Sequence, residues 1–341
     1  MTYGPRVFLL GGNLKVDKVF KSSNQQMRKL RDRGMNIRGS RAKKILEMEN
    51  YYNLINGYKD LFIDKTYSGL DEKYKEGTDF YELYALYLFD RELRSHFMRY
   101  ILEIENNVKS VLSHKFSEKY GHDNYLKISN FNTSLKRGEK KTQAQKVGEV
   151  SELISNLQRE ISRQLSKNNP MISHSMLEYG YVPLWVLVNT LTLGTISTFY
   201  SYMIDVDKNN VAREFNLKPN EMSSILFILS IYRNACAHDE RFYNLKAVNK
   251  NMRPNSIKTC TLHTSMSIQV DKSGNPICGK NDLFAIVIIF KLMLSKTSFN
   301  KFFYAIKAEI DRLKKQLNTI TIDEVLQAMG FPQNWLDIKT V

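Results

Sequence analysis

The stretch Pro219–Asn244, PNEMSSILFILSIYRNACAHDERFYN, decides the fold class. Met222, Ile225, Leu226, Leu229, Tyr232 and Cys236 recur at three and four residues, the spacing of one helix face. Pro219 suits a first helical position, where its missing N–H is not needed. The first half of the stretch therefore reads as a core helix. The second half turns polar at Arg233, Asn234, His238, Asp239, Glu240 and Arg241. At helical pitch Arg233 and His238 stand about 140° apart, so they do not share a face. Asn234, His238 and Arg241 do. Arg233 and His238 flank a groove at the helix edge, which a neighbouring helix or a second protomer would close. Ala235 and Ala237 permit close approach there.

The helical period continues outward from this stretch. Upstream, Leu83, Leu86, Tyr87, Phe97, Ile101, Ile104, Val108, Val111 and Leu112 predict a helix over about 79–120, long enough to suggest a break or kink. Helices are also expected at 23–32, at 41–56 ending on Gly57, at 142–166 and from Pro183 to Ile204. Asn168-Asn169-Pro170 reads as a breaker. Downstream, 281–317 predicts one buried helix and 322–329 a short one. Residues 258–279 differ, because Thr and Ser alternate with apolar residues before the turn Asp271–Pro276, and one small β-hairpin is expected there. The expectation is an all-α helical bundle with additional N-terminal helices. It divides into a basic helical region (1–78), a helical domain with the Arg/His pair (79–250) and a C-terminal hairpin with helices packing on the core (251–341).

Charge narrows the function. The chain carries 50 Lys and Arg against 35 Asp and Glu, a net +15. Such a surplus favours a polyanionic partner, nucleic acid before an anionic membrane. Residues 1–60 hold 13 of the basic residues and only 5 acidic ones. The densest part is Lys21–Lys44, with Arg28, Lys29, Arg31, Arg33, Arg38, Arg41, Lys43 and Lys44 as candidate RNA contacts. It has few aromatic side chains, so phosphate contact is expected there rather than base stacking. Three cysteines make no disulfide framework and fit a reducing, cytoplasmic setting. The longest apolar run, Leu283–Phe290, is far short of the ~20 residues that span a bilayer, and no signal-peptide core precedes it. No membrane association is expected.

An arginine and a histidine at a helix edge suit metal-free RNA cleavage. The ribose 2′-OH attacks the adjacent phosphorus, which requires a base for its proton and an acid for the leaving 5′-oxygen. An imidazole titrates in the range for either role. A guanidinium holds the non-bridging oxygens and stays charged throughout. Asn234 is placed to orient one of them. The same spacing also suits a histidine that merely ends a helix, where the dipole favours a cation. No other set competes. Cys260-x2-His263 with Cys278 lacks a fourth metal ligand and reads as a strand pair with incidental cysteines. His96, His114, His122 and His174 stand alone. Gly11-Gly12 has no phosphate-loop lysine around it. Tyr51, Tyr52, Tyr58, Tyr74, Tyr81, Tyr84 and Tyr87 could stack bases, but positions at helical spacing are more often core. No cofactor and no metal is expected.

RNACAHDERFYN at 233–244 resembles the signature of the AbiD/AbiF-like abortive-infection proteins (the Abi_2 family) of the HEPN superfamily. Three further elements follow the family's order: NYYNLINGY at 50–58, DRELR at 90–94 with Ile104-Glu105, and PLWV at 183–186 with LGTIS at 193–197. The resemblance covers about residues 20–250. It implies a HEPN-type bundle in which two units pair to form a composite cleft, so a homodimer is expected. It implies metal-independent endoribonuclease activity in phage defence or as a toxin, and a structured non-coding RNA as a possible regulator. It implies that Arg233 and His238 carry catalysis, that Asn234 supports it, and that Glu105 orients the arginine. Arg94 is a further supporting candidate. Two other readings stay open: a HEPN-fold RNA-binding module without turnover, and a helical adaptor between proteins.

Overall fold

The computed structural model describes residues 7–8, 15–16, 19–135, 138, 140–238, 240–248, 252 and 254–341. Leu9-Leu10, Gly11-Gly12, Lys136 and Asp239 lie outside the described residues. The fold is all-α, as the periodicity predicts. The helices are α1 (Ser23–Asp32), α2 (Arg41–Met48), α3 (Phe80–Tyr120), α4 (Gln143–Ser166), α5 (Pro170–Tyr179), α6 (Leu184–Leu187) and α7 (Leu193–Tyr202). They continue as α8 (Asp205–Arg213), α9 (Pro219–Ala237), α10 (Thr261–Ser265), α11 (Leu283–Met293), α12 (Lys296–Lys314) and α13 (Ile322–Met329). A two-residue antiparallel ladder joins Val7–Phe8 to Lys15–Val16. Among the described residues no helix is long and apolar enough to cross a membrane.

Local signals set most boundaries. Ser22 caps α1 in a reciprocal box with Gln25, and Thr142 does the same for α4 with Gln145. The helix α3 runs 41 residues without interruption, against the expected break. No proline or glycine falls within it, so nothing interrupts its hydrogen-bond ladder. Three other predicted helices are too long. The expected helix 41–56 ends at Met48, Glu49 is extended, and the chain restarts as a single wide turn at Tyr52–Asn56. Asn50 causes the restart, because its side-chain oxygen accepts from the N–H groups of Tyr52 (2.9 Å) and Asn53 (3.3 Å). Tyr52 is consequently exposed rather than core. The helix expected over 183–204 is split at Leu191, where Thr192 caps α7. The helix expected over 281–317 is split at Leu294, where the Ser295 hydroxyl accepts from the Ser298 N–H. The breaker Asn168-Asn169-Pro170 follows the end of α4 at Ser166 as read, and it also starts α5: Asn169 is its N-cap and Pro170 its first residue.

The expected hairpin at 258–279 is also corrected. Its first arm contains the one-turn helix α10, and only a single bridge, Val270 to Pro276, closes the turn. His263 explains the helix. Its Nδ1 accepts from the Cys260 N–H at 3.2 Å, and its Nε2 lies 2.9 Å from the Gly279 carbonyl. Both ring nitrogens are engaged, so the Cys260/His263 pair has no free imidazole to offer a metal. Burial holds the His263 pKa below its ordinary value. Its unfolded counterpart takes up a proton below about pH 6.5 that the native ring refuses, so acidification through that range destabilises the fold. We expect His263→Asn to flatten the fall in melting temperature between pH 7.5 and 5.5. The native slope due to this residue is at most about 1.4 kcal/mol per pH unit. An unchanged pH profile in the variant would exclude His263 as the source.

The chain forms two compact units, Met1–Phe89 with Arg312–Glu324, and Asp90–Asp311 with Val325–Val341. The first is built on α1, α2 and the opening turns of α3, with Leu30, Leu54, Phe62, Phe80 and Leu83 fully buried. In it the buried Glu82 carboxylate accepts from three successive backbone N–H groups, of Asn318, Thr319 and Ile320, at 2.7–3.1 Å. In the second unit α11 is the central helix: Leu283–Phe290 are all buried. Around it Phe97 of α3 packs against Phe242, Phe290 and Phe302 with ring centroids 5.0–5.6 Å apart. That aromatic cluster joins α3, α11, α12 and the chain leaving α9.

Candidate functional site

The helix α9 begins as the sequence predicts, with Pro219 at its first position. The Glu221 side chain accepts from the Lys218 N–H at 2.8 Å. Met222, Ile225, Leu226, Leu229 and Tyr232 are buried, and α7 packs against this helix. The helix ends at Ala237 with His238 as its C-cap residue, whose N–H donates to the Asn234 carbonyl at 3.0 Å. Asn234, Ala237 and His238 are exposed and Arg233 is half-buried.

No glycine stops α9. The chain is instead held by the DRELR segment of α3. The Asp90 carboxylate, fully buried, accepts from the N–H groups of Phe242 (3.0 Å) and Tyr243 (2.5 Å). Arg94 donates through Nη1 to Asp90 (2.8 Å) and to the Glu240 carbonyl (2.9 Å). The Tyr232 hydroxyl donates to the Leu245 carbonyl at 2.6 Å, and its ring meets Phe242 edge-on. Arg94 is thus part of the clamp that fixes the backbone just after His238.

The half-buried Arg233 faces a second element of α3. Its Nε lies 3.6 Å from Glu105 Oε2, an ion-pair contact too long for a hydrogen bond. The other oxygen, Glu105 Oε1, takes the Lys109 ammonium at 2.6 Å. Glu105 is 3 % exposed, so this carboxylate is held between two cations away from water. Among the described residues it is the only acidic group in ion-pair range of Arg233. The Arg233 side chain is 28 % exposed, so part of the guanidinium reaches solvent. Arg233 and Glu105 lie 128 positions apart, and Lys109 carried no signal of its own in the sequence. The Cys236 thiol on the same helix is pushed up to about 12 by burial, which leaves it unreactive near neutral pH.

A cavity of about 700 Å³ has Lys109 in its lining. One wall is the polar stripe of α3 from Asn106 past Ser110 and His114 to Glu118. The other is Trp185 and Asn189, from α6 and the turn after it. His114, isolated in the sequence, therefore lines a cavity that only the fold assembles. His122 stacks on Tyr181 at 4.2 Å and His174 meets Tyr179 edge-on. His96 lies 3.8 Å from Glu309, and with Glu92 these residues present three potential ligand atoms within 4.8 Å of one another. The spacing of Glu92 and His96, at i and i+4, was the available signal for that cluster.

The basic N-terminal candidates sort by their partners. Arg28, Arg31, Arg38, Arg41, Lys43 and Lys44 are exposed, whereas Lys29 and Arg33 are half-buried. Arg31 donates to the Ile37 carbonyl at 3.2 Å, and Lys43 lies 3.6 Å from Glu47. Arg33 is tied to Asp71 (2.9 Å) and Glu72 (3.2 Å), and Lys59 also reaches Glu72. Tyr58, Tyr74 and Tyr87 are buried, which leaves them no role in stacking bases.

No curated protein and no solved structure matches the chain. A family model does, over residues 44–244, a span that includes the wide turn at Tyr52–Asn56, the Asp90–Arg94 clamp, Glu105, Trp185 and the whole of α9. The match covers more than half of the sequence, and the chain belongs to the Abi-like protein family, which points to a role in abortive infection, the bacterial response to phage.

Proposed function

We propose that the protein is a metal-independent endoribonuclease of the HEPN type, working in phage defence or as a toxin. The observation that carries this reading is the anchored arginine. Glu105 approaches Arg233 from the Nε side and, being buried, holds the guanidinium in place. The outer part of the group is left for an external anion. A phosphate bridging to it would take bidentate, charge-assisted hydrogen bonds in a half-buried setting. The exposed His238 follows at the end of the same helix, fixed from behind by the Asp90–Arg94 clamp.

In the proposed reaction an imidazole removes the proton of the ribose 2′-OH as that oxygen bonds to phosphorus. Arg233 stabilises the charge that builds on the non-bridging oxygens. The P–O5′ bond breaks, and an imidazolium returns a proton to the leaving oxygen. The products are a 2′,3′-cyclic phosphate and a 5′-hydroxyl. Base and acid must stand on opposite sides of the phosphorus, and one chain offers a single His238. Two copies pairing across the α9 edge supply both, which makes the functional species a homodimer. Asn234, exposed on the His238 face, orients the phosphate or the ring. The exposed basic residues Arg28, Arg38, Arg41 and Lys44 are the proposed docking contacts for RNA, substrate or regulatory. Arg33, engaged by two carboxylates, is not one of them.

The test is incubation of purified protein with total RNA in excess chelator, beside Arg233→Ala and His238→Ala, after absorbance has shown the preparation free of bound nucleic acid. The expected result is chelator-resistant cleavage by the native protein alone, with ends that kinase labels without prior phosphatase treatment. Cleavage that survives His238→Ala would sink the proposed site. Tight binding without cleavage would make the chain an RNA-binding module. Cleavage abolished by chelator would shift attention to the Glu92, His96 and Glu309 cluster.

A further inference from the structure

The cavity beside Lys109 has no role in the cleavage chemistry above. We propose that it is a subsite for an unpaired nucleotide of the RNA, whose base stacks on Trp185. The inference rests on the reading of Arg233 as the phosphate-binding group, because it takes the cavity as a continuation of that site. Lys109 makes the connection. Its ammonium bonds Glu105, the residue that faces Arg233, and its side chain also forms the cavity wall.

The lining is graded in a way that matches a nucleotide. The cavity follows α3 from Asn106 to Glu118, about 18 Å at helical rise. Near its first end stands Lys109, and the Glu105 that Lys109 bonds also faces Arg233. The cations outnumber the single carboxylate Glu105 there, so a phosphate is favoured. At the far end stands Glu118, which accepts hydrogen bonds and repels anions. That end suits the amino edge of a base and rejects a second phosphate. Between them Ser110 offers a hydroxyl that both donates and accepts, whereas the Ser113 hydroxyl donates to the Ser110 carbonyl at 3.1 Å and offers an acceptor.

Trp185 supplies the missing element. It is 50 % exposed, although Leu184 and Leu187 beside it are fully buried. An indole left half in water in the lining of a cavity is a stacking platform. Every base has a π-face to lay on it. Asn189, one helical turn on, shares that wall. Its amide nitrogen lies within hydrogen-bond distance of the Trp185 and Val186 carbonyls, which fixes the side chain and leaves its oxygen as an acceptor. Duplex RNA keeps its bases stacked inside the helix, so only a single-stranded or looped segment can use the site. The volume, about 700 Å³, lies within the ~300–1,000 Å³ of small-ligand pockets.

The chain has two tryptophans, and Trp335 is buried, so quenching by contact with a bound base acts on Trp185, while Trp335 contributes a constant emission. The experiment uses the full chain carrying His238→Ala, titrated with an unstructured oligouridine decamer and followed by both fluorescence and anisotropy. The expected result is saturable quenching that tracks binding, absent with a blunt duplex of the same length. Trp185→Phe should lose the quenching while binding weakens by no more than about threefold. Trp185→Ala should weaken binding by roughly tenfold or more. Ser110→Glu, an exposed change that adds an anion to the cavity, should also weaken it by about tenfold, which covers the case that Trp185→Ala folds poorly.

Binding by anisotropy without quenching would overturn the proposal, as would no binding at all. So would an emission shift that follows protein concentration without RNA and coincides with dimer formation by sedimentation, since the cavity would then hold a second copy. The fate of the cleavage reading is separable. If native protein cleaves in chelator and Trp185→Ala does so with unchanged KM, the subsite fails and the nuclease stands. If quenching occurs and no variant or native protein cleaves, the subsite stands and the nuclease fails.

Discussion

His238→Ala is expected to slow cleavage about 10²–10⁴-fold, the usual worth of a general acid or base, while the protein stays folded. The two halves of this expectation have separate physical grounds. The loss follows because the exposed imidazole is the one titratable group proposed to touch the 2′-OH or the leaving oxygen. The retained fold follows because His238 is a C-cap residue whose contribution is its backbone N–H to the Asn234 carbonyl, which alanine keeps. Only a favourable interaction of the ring with the helix dipole is lost, about 0.3–1 kcal/mol and only when the ring is charged. Arg233 behaves differently. Arg233→Lys keeps the charge but not the planar fork, so a loss of about 10²–10³-fold is expected even there. Single-turnover cleavage of an end-labelled oligonucleotide in chelator measures the rate, and a melting curve measures the fold. A His238→Ala protein that melts normally and cuts at the native rate would remove His238 from the mechanism. One that unfolds would mean that the ring packs in a way its exposure does not suggest.

How much of this was legible in the sequence depends on whether the deciding contact is local. The boundaries of α1 and α13 follow from adjacent residues: the Ser22/Gln25 box for one, and the apolar period of Ile322–Met329 for the other. The continuity of α3 was equally local, since it turns on the absence of proline and glycine. The breaks at Glu49, Leu191 and Leu294 were not legible from period alone. In each, the apolar spacing continues across the gap while a single capping side chain, Asn50, Thr192 or Ser295, outcompetes the helical hydrogen bonds. Asn169-Pro170 shows the converse, a pair that ends one helix and begins the next. In the site, the spacing of Arg233 and His238 said only that they lie off a common face. The partner of Arg233 is on another helix, and family resemblance rather than spacing singled out Glu105. Lys109 and the cavity were invisible. They arise from packing α6 across a polar stripe of α3, and nothing in either segment names the other.

The largest stability effect is expected from Asp90→Ala, at a position with no part in the chemistry. Asp90 is fully buried and binds one cation and two backbone donors. Alanine would take from the Arg94 guanidinium, itself 5 % exposed, its paired carboxylate, and from the N–H groups of Phe242 and Tyr243 the acceptor they share. Removing one partner of a buried pair costs about 3–5 kcal/mol, because the other charge stays desolvated. In a protein of this size a drop in melting temperature on the order of ten degrees follows. Activity should fall with it for a reason beyond unfolding. The clamp holds the backbone from Glu240 to Tyr243, immediately after His238, so loosening it lets the imidazole leave the geometry that proton transfer requires. Arg94→Ala should cost less, since it leaves the Asp90 carboxylate with both N–H donors. Combining the two should be less than additive by about 0.5–3 kcal/mol, as for residues in one network. Chemical denaturation of the four proteins gives that coupling directly. Additive losses would mean that Asp90 and Arg94 stabilise the fold independently. In that case the segment after α9 is held by Phe242 and Tyr243 packing in the core, and the shared sequence element 90–94 does not act as a clamp on the site.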